Sequence, residues 1–195
     1  MDWLVVGLGN PGAEYARTRH NIGFAVAEEL VRRWQLPKAK DRFRGRIVEG
    51  RVGGAAASGQ LGQAPQRVAV LCPQTFMNDV GRSVGPARGS YKLALERVLV
   101  VHDEIDLPFG EVRTRVGGGL AGHNGLKSIK RELGSGDFAR VRVGVGRPDS
   151  SDPEIVSAYV LGRFREDSED VAALVERASD AVERIVLDEQ SPPPG

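Results

Sequence analysis

The residues best suited to chemistry in this sequence are one histidine, one aspartate and three asparagines. His20 stands in "TRHN", Asp103 ends the apolar run "RVLVVHD", and Asn10, Asn78 and Asn124 stand in "GLGN", "FMN" and "GHN". A neutral imidazole, with an unperturbed pKa of about 6.5, can take a proton from water, and a carboxylate on its other nitrogen fixes the tautomer. Asparagine amides can donate hydrogen bonds to an oxyanion or a peptide-like substrate. This set predicts hydrolysis by an activated water molecule.

Other catalytic arrangements have little support in the sequence. Ser83 in "GRS" does not lie in a G-x-S-x-G nucleophile motif. Cys72 lies inside the apolar run "VAVLCP" and is predicted to be a buried spectator. No H-E-x-x-H motif or paired Cys/His spacing indicates zinc, so no metal ligand is predicted.

A glycine pattern near the start of the chain raises a competing interpretation. Three glycines spell the dinucleotide-binding fingerprint G-x-G-x-x-G: Gly7, Gly9 and Gly12. That fingerprint requires a helix to begin within the motif, whereas the helical pattern here begins near Ile22. Pro11 removes an amide, and Arg32 and Arg33 stand where an acid would hold a ribose. The glycines are therefore expected to turn the backbone at a strand end and to direct Asn10 into a cleft.

Short apolar runs predict the strands that carry these residues. "WLVVG", "RVAVLCP" and "RVLVVHD" are typical of buried strands. "RVRVGVG" (140–146) alternates and predicts a strand with one polar face, and "FRGRIVEGRV" predicts a strand or a hairpin.

Helical periodicity between the strands indicates an α/β layered fold. Residues 22–34 and 168–187 each place apolar side chains on one helical face. Residues 53–66 are rich in small residues and predict a loop. We expect one domain over residues 1–190 and a disordered tail over residues 191–195, because "SPPPG" suits neither helix nor sheet.

Basic residues are concentrated in two segments, although the chain carries 27 basic and 26 acidic residues in all. Residues 32–51 and residues 113–147 each have eight basic and two acidic residues, a net charge of +6. Residues 149–189 have four basic and twelve acidic residues, a net charge of −8. Basic segments suit a polyanion-binding face, although ordinary solvated surfaces often have the same composition.

The cellular setting is predicted from what the sequence lacks. Cys72 is the only cysteine, so no internal disulfide is possible and a reducing, cytoplasmic setting is expected. The first residues do not resemble a signal peptide, and no stretch reaches the apolar length of a membrane span.

Long segments of the sequence are similar, in order, to signature blocks of bacterial peptidyl-tRNA hydrolases. They are "LVVGLGNPGAEYARTRHNIGF", "FMNDVGRSV", "VVHDEIDLPFGEVRTRVGGGLAGHNGLKSI" and "FARVRVGVGRP", with "YVLGRF" further on. The resemblance implies a single α/β domain, a mixed, twisted β-sheet flanked by α-helices, and a monomer. It implies hydrolysis of the ester between a peptide and the 3′-terminal ribose of tRNA, with no metal or organic cofactor.

The resemblance also assigns roles to individual residues. His20 matches the catalytic base, Asp103 the carboxylate that orients it, and Asn10 the residue that selects N-blocked substrates. The positions that match contacts to the peptidyl and 3′-adenosine end, with a histidine beside them, are Tyr15, Phe76, Asn78, Asn124 and His123. Arg115 and Arg142 match a basic clamp for the tRNA 5′-phosphate. RNA gripped through phosphate would bind in a salt-dependent way with little sequence preference.

The sequence departs from the family pattern at a few positions. Leu120 and Ala121 replace a common histidine-glycine pair, and this change is expected to alter the lip of the cleft. Val80 replaces a common serine or threonine, and Arg115 stands where lysine is more usual. Arginine also binds phosphate well, so the last change should preserve the clamp.

Two other functions remain open at this point. One is a non-catalytic RNA-binding module of the same fold, of the type that works in intron splicing. The intact His20, Asp103 and asparagines weigh against it. The other is an NADP oxidoreductase, which rests on the glycine pattern with Arg32 and Arg33.

Overall fold

A seven-stranded mixed sheet forms the centre of the computed structural model, which describes residues 1–54 and 64–187. The strands are β1 (Trp3–Gly7), β2 (Lys40–Arg42), β3 (Gly45–Val52), β4 (Gln66–Pro73), β5 (Val98–Glu104), β6 (Val112–Val116) and β7 (Ala139–Gly144). The helices are α1 (Ile22–Arg33), α2 (Gly81–Tyr91), α3 (Asn124–Leu133), α4 (Pro153–Val160) and α5 (Ser168–Leu187). The strand order is β2-β3-β4-β1-β5-β7-β6.

The four central strands run parallel to one another, and antiparallel strands close both edges. β1 pairs in parallel with β4 and β5, and β5 pairs in parallel with β7. The β2–β3–β4 and β6–β7 pairings are antiparallel. β1 and β5 are apolar along most of their length because helices cover both faces of the sheet. The strands predicted from the apolar runs are confirmed, and "FRGRIVEGRV" enters a hairpin with β2.

Two helix pairs cover the two faces of the sheet. One apolar core contains side chains of α1 and α5, and the other contains side chains of α2 and α3. The predicted single α/β domain with a mixed sheet is confirmed, as are the helices over residues 22–34 and 168–187. Most of the predicted loop at 53–66 and all of the predicted tail at 191–195 lie outside the described residues. Within the described ranges, no helix combines the length and apolar character that crossing a membrane would demand.

The glycine pattern has a packing role rather than a dinucleotide-binding one. A Cβ at Gly7 would collide with the carbonyl oxygen of Gly23, so the glycine lets α1 cross close to β1. Arg32 and Arg33 bond to carboxylates of α1 and α5, Glu29 and Glu176 among them. These ion pairs leave the two arginines badly placed for a cofactor phosphate.

The alternating strand "RVRVGVG" differs from its prediction in one respect. β7 alternates as expected, but its polar face is only partly exposed, because Arg140 is fully buried and Arg142 is half-buried. The loop that follows β6 lies over this side chain, with the carbonyls of Gly117 and Gly119 bonded to it.

Candidate active site

A cleft of about 720 Å³ opens beside the carboxyl ends of β1 and β5. β1 lies between β4 and β5, so the strand order changes direction at this position in the sheet. Ligands of α/β sheets commonly bind beside the carboxyl ends of the strands at such a position. Eight of the ten site residues predicted from the sequence line it: Asn10, Tyr15, His20, Phe76, Asn78, Asp103, His123 and Asn124.

His20 and Asp103 form a hydrogen-bonded pair in the wall of the cleft. His20 Nδ1 lies 2.9 Å from Asp103 Oδ1, and the Asp103 side chain is almost completely buried. A carboxylate can only accept, so Nδ1 carries the proton and Nε2 keeps its lone pair. Among the described residues, none bonds to His20 Nε2. The tautomer is therefore the one that a general base requires.

A second histidine bonds to the same carboxylate oxygen. His123 Nε2 lies 2.9 Å from Asp103 Oδ1, and its ring centroid lies 5.0 Å from that of His20. His123 Nδ1 accepts from the backbone N–H groups of Gly125 and Leu126, so the side chain caps α3. These bonds fix Nε2 as the protonated nitrogen. His123 therefore orients Asp103 while α3 orients His123.

All three histidines of the chain lie in this cluster. His102 is fully buried, and its Nδ1 donates to the carbonyl oxygen of Asp103 at 2.7 Å. Burial, followed by the proximity of His123, holds the pKa of His102 well below its usual 6.5. His102 is therefore neutral at physiological pH.

His20 and Asp103 shift the pKa of each other in opposite directions. Burial alone would lower the pKa of His20, but the charge of Asp103 and its hydrogen bond outweigh burial and raise this pKa above 6.5. Burial would raise the pKa of Asp103, yet the neighbouring His20 and His123 hold it far below its usual range. The positive end of α1, which begins two residues after His20, would favour the neutral ring. The carboxylate dominates instead, because it is in direct contact with the ring.

The segment that carries His20 is fixed by its neighbours in sequence. The short 3-10 helix Arg19–Asn21 precedes α1, and Arg19 Nη1 donates to the carbonyl of Arg163 at 2.7 Å. The Arg19 guanidinium carbon also lies 4.2 Å from the ring centroid of Tyr159 in α4. Thr18 forms an isolated bridge with Arg163. These contacts fix His20 from the α4 side.

Asn10 is oriented by two partners. Its backbone N–H donates to Asn21 Oδ1 and its carbonyl accepts from Asn21 Nδ2, both at 2.9 Å. The backbone N–H of Met77 donates to Asn10 Oδ1 at 2.8 Å, so the Nδ2 donors are directed away from Met77. Asn21 could have capped α1, but its side chain makes no cap bond and supports Asn10 instead.

The rim of the cleft is aromatic and amide-rich. Tyr15 and Phe76 pack edge to face with centroids 6.5 Å apart, and Phe76 is 60% exposed. Asn78 and Asn124 are also exposed, and Asn124 is the first residue of α3. An exposed aromatic face beside amide groups suits a nucleobase or a peptide.

The remaining two predicted site residues, Arg115 and Arg142, do not line the cleft. Both lie on the β6–β7 pair, and Arg142 Nε donates to Glu104 Oε2 at 3.0 Å. Glu104 itself lines the cleft. The two arginines therefore form a separate basic surface, joined to the cleft through one carboxylate.

Two cations in the cleft wall were missed by the sequence reasoning. Lys127 and Arg147 both line the cleft and are exposed, and Arg147 bonds to Asp106 at 2.7 Å. Lys127 is one helical turn after Asn124, and Arg147 follows β7 as Asn10 follows β1. The strand-end argument and helical spacing could have found both.

Leu120 and Ala121, where the sequence departs from the family pattern, lie in a tight turn at the lip of the cleft. The N–H of His123 donates to the carbonyl of Leu120 at 2.8 Å, and both central residues have positive φ, +47° at Ala121 and +75° at Gly122. This is a type I′ turn, which favours asparagine or glycine at the position of Ala121. The turn ends directly on the histidine that holds Asp103.

One side-chain cluster could offer three metal ligands: His20, Asp103 and His123. A metal at His123 Nε2 would require the proton to move to Nδ1. That nitrogen faces the backbone N–H groups of Gly125 and Leu126, so two donors would then oppose each other. The residues present fit a hydrogen-bonded network better than a metal site.

Fold and cleft together define an α/β protein with a histidine–carboxylate site at the carboxyl edge of its sheet. The family model described as peptidyl-tRNA hydrolase matches residues 4–192. The peptidyl-tRNA hydrolase of Kineococcus radiotolerans is 45% identical over 192 residues, covering 95% of this chain and 91% of that protein. The peptidyl-tRNA hydrolase of Bdellovibrio bacteriovorus is 43% identical over 189 residues, covering 95% and 94%. A crystal structure of peptidyl-tRNA hydrolase from Acinetobacter baumannii matches with a TM-score of 0.80 at 36% identity, covering 96% of this chain and 89% of that chain.

The chain belongs to the peptidyl-tRNA hydrolase family. The resemblance inferred from the sequence is confirmed, and so is the activity: the protein is a carboxylic ester hydrolase that recycles tRNA from peptidyl-tRNA. This assignment favours the hydrolase over the splicing-type binding module and over the NADP oxidoreductase.

Proposed function

We propose that His20 is the general base of this hydrolysis and that Asp103 fixes its tautomer. The observation that carries the proposal is the 2.9 Å bond from His20 Nδ1 to buried Asp103 Oδ1 in the cleft wall. Nε2 takes a proton from water, and the water oxygen attacks the ester carbonyl carbon. The tetrahedral intermediate then collapses, and the ribose oxygen leaves with a proton returned from Nε2. Asp103 stays ionised throughout, since its pKa lies far below neutral pH.

The asparagines supply uncharged donors for a peptide substrate. Met77 N–H binds Asn10 Oδ1, so Asn10 Nδ2 is available to the amide next to the ester and favours N-blocked substrates. Asn78 and Asn124, on the rim, contact the peptidyl and 3′-adenosine end. Amide donors suit this role because they bind a neutral peptide without the desolvation cost of a charge.

The aromatic pair and His123 complete the substrate cleft. Tyr15 and Phe76 offer the apolar faces on which the 3′-terminal adenine stacks. His123 lies beside Asn124 and contacts the substrate at the edge of its ring, while its nitrogens hold Asp103 and α3.

Arg115 and Arg142 form what we call the phosphate clamp, which grips the 5′-phosphate of tRNA. Both lie on the β6–β7 pair at the edge of the sheet, and Arg142 reaches back to Glu104 of the cleft. Contacts of this kind are made to phosphate rather than to bases. Affinity should therefore fall with salt and depend little on tRNA sequence.

We propose that the protein acts as a monomer in the cytoplasm. Among the described residues, the exposed large apolar side chains are Phe76, Ile155 and Leu161, and two of these line the cleft. No other described surface therefore offers an apolar patch of the kind that a stable dimer would bury. Light scattering at increasing protein concentration tests this, and a concentration-dependent dimer mass would contradict it.

The test of the catalytic assignment is ester cleavage by wild type and His20→Ala. Each chain is incubated with N-acetyl-aminoacyl-tRNA and with free aminoacyl-tRNA. We expect wild type to cleave the blocked substrate preferentially, and His20→Ala to lose about 10²–10⁴-fold in kcat. Added imidazole should restore part of the lost rate, because it replaces the missing base in the cleft. Wild-type turnover in His20→Ala would remove His20 from the mechanism.

A further inference from the structure

Arg140 is the largest fully buried side chain among the described residues, and it carries a charge. It lies on β7, two residues before Arg142 and directly opposite Arg115 in the β6–β7 ladder. Side chains of directly paired residues and of residues two apart emerge on the same face of a sheet. Arg140 therefore shares one face with both members of the phosphate clamp.

The surroundings of Arg140 are unfavourable for a buried cation. Its Nη2 donates to two backbone carbonyls, those of Gly117 and Gly119, and neither acceptor is a carboxylate. Within residues 1–54 and 64–187, its Nε and Nη1 have no hydrogen-bond partner. Burial, followed by the like charges of Arg115 and Arg142, lowers the pKa of Arg140 to about 10. The side chain is still charged at neutral pH. Its burial therefore has a desolvation cost that an apolar residue of similar size would avoid.

The two carbonyls show what the buried guanidinium does. Gly117 and Gly119 flank Gly118 in the loop that leaves β6, and this loop also closes through the N–H of Gly117 to the carbonyl of Phe138. Gly118 has φ +77°, and a Cβ there would collide with the Arg115 guanidinium. The Arg115 side chain therefore lies flat against the backbone of the loop segment that Arg140 holds.

We propose that Arg140 is the positioning residue of the phosphate clamp. It fixes the Gly117–Gly119 loop as the surface on which the Arg115 guanidinium rests, and it thereby sets the distance between Arg115 and Arg142. The inference rests on the proposed function, because it takes those two arginines as the clamp. A terminal phosphate dianion bound between them would also offset the repulsion among the three arginines. A substrate without that phosphate gains nothing from the arrangement.

The experiment compares Arg140→Met with wild type on two substrates, N-acetyl-aminoacyl-tRNA with its 5′-phosphate and the same tRNA after removal of that phosphate. We expect wild type to prefer the phosphorylated substrate by at least about tenfold in kcat/KM. Arg140→Met should reduce this preference to about twofold or less by raising KM, with kcat unchanged on both substrates. A purely structural role would lower kcat or stability without changing the ratio between substrates.

Three further variants make the outcome decisive. Arg140→Lys keeps the charge but lacks the planar fork that reaches both carbonyls, so it should retain less than half of the wild-type preference. Arg140→Lys replaces Arg140→Met as the test variant if Arg140→Met does not fold. Arg51→Met is the matched control. Arg51 is an exposed arginine of β3, far from β6 in the sheet, and the strand register places it opposite Arg67 of β4. This variant should keep the full preference.

Arg142→Ala separates this inference from the clamp itself. If Arg142→Ala loses the preference while Arg140→Met and Arg140→Lys keep it, the clamp stands and the role of Arg140 is overturned. If wild type shows no preference for the phosphorylated substrate, the clamp and the inference fall together. Loss of the preference in Arg140→Met with normal kcat supports both.

Discussion

Two carboxylates adjacent in the sequence, Asp103 and Glu104, lead to different regions of the molecule. Both end β5 and are nearly inaccessible to solvent, but successive residues of a strand point to opposite faces. Asp103 receives the N–H groups of His20 and His123. Glu104 receives the guanidinium of Arg142. If the proposed roles are right, one strand end supports proton transfer on one side and phosphate binding on the other, and mutations on the two sides should separate kcat from KM.

The largest expected effect is that of Asp103→Asn on kcat. The asparagine amide can donate to His20 Nδ1, which would move the ring proton to Nε2 and remove the lone pair that takes the proton from water. By analogy with the same change in a serine-protease triad, we expect kcat to fall about 10³–10⁴-fold, with KM changed little. Single-turnover cleavage of N-acetyl-aminoacyl-tRNA measures this.

The pH profile of the same variant provides a second readout. A general base works only when neutral, so wild-type kcat should rise with pH through a pKa above 6.5, because Asp103 raises the pKa of His20. In Asp103→Asn burial remains without the carboxylate, so the residual activity should persist to lower pH. The control is Asp180→Asn, because Asp180 is an exposed residue of α5 whose carboxylate pairs with Arg33. The pH profile of this variant should match that of wild type. A kcat within tenfold of wild type in Asp103→Asn would contradict the assignment of proton transfer to the Asp103 side.

The next largest effect is expected from substitution of Arg142, the hydrogen-bond partner of Glu104. Arg142→Ala should raise KM about tenfold or more and reduce the slope of log KM against log salt by about 1, while kcat stays near wild type. It also leaves Glu104 buried without its cation, which should destabilise the fold by about 3–5 kcal/mol. The double variant Glu104→Gln/Arg142→Ala should recover most of the stability and none of the binding. An unchanged salt slope would show that Arg142 contacts no phosphate.

Residues at the ends of apolar strands were the part of the site that the sequence could predict. Asn10 and Asp103 follow runs that are apolar because they are buried, and such runs are visible in any sequence. α2 was not predicted, because "GRSVGPARGSY" contains three glycines and a proline. It forms because Gly81 lets it approach α3 closely, with the Gly81 N–H bonded to Ser128 Oγ at 3.0 Å. Tertiary contact overrides local propensity there.

The two basic segments show why charge counts did not identify the clamp. Each carries a net charge of +6 in the sequence. In the first, Arg33 meets Glu29, Glu176, Asp180 and Glu183, and although burial acts in the other direction these bonds raise its pKa. In the second, Arg140 meets two carbonyls and its pKa falls. Three of the four acids around Arg33 come from α5, nearly 150 residues away, which no local count includes.

The smallest expected effect concerns the turn that supports the Asp103 side. Ala121 holds φ +47° in the type I′ turn that ends on His123, a conformation that costs a residue with a Cβ roughly 1–2 kcal/mol. Ala121→Gly removes this strain but gives the unfolded chain more freedom, so we expect a net gain of about 0.5–1 kcal/mol and a rise of about 1–4 °C in Tm. Because His123 is held by Asp103 and by α3, kcat should stay within about twofold.

The matched control for this last prediction is Ala94→Gly. Ala94 is exposed and has an ordinary φ of −62°, so the same substitution there should destabilise the fold by about 0.4–1 kcal/mol through the unfolded state alone. Thermal unfolding of the two variants side by side should give shifts of opposite sign. Shifts of the same sign would mean that the turn at Ala121 is not strained. A large loss of kcat in Ala121→Gly would mean that the turn, rather than α3, fixes His123 against Asp103.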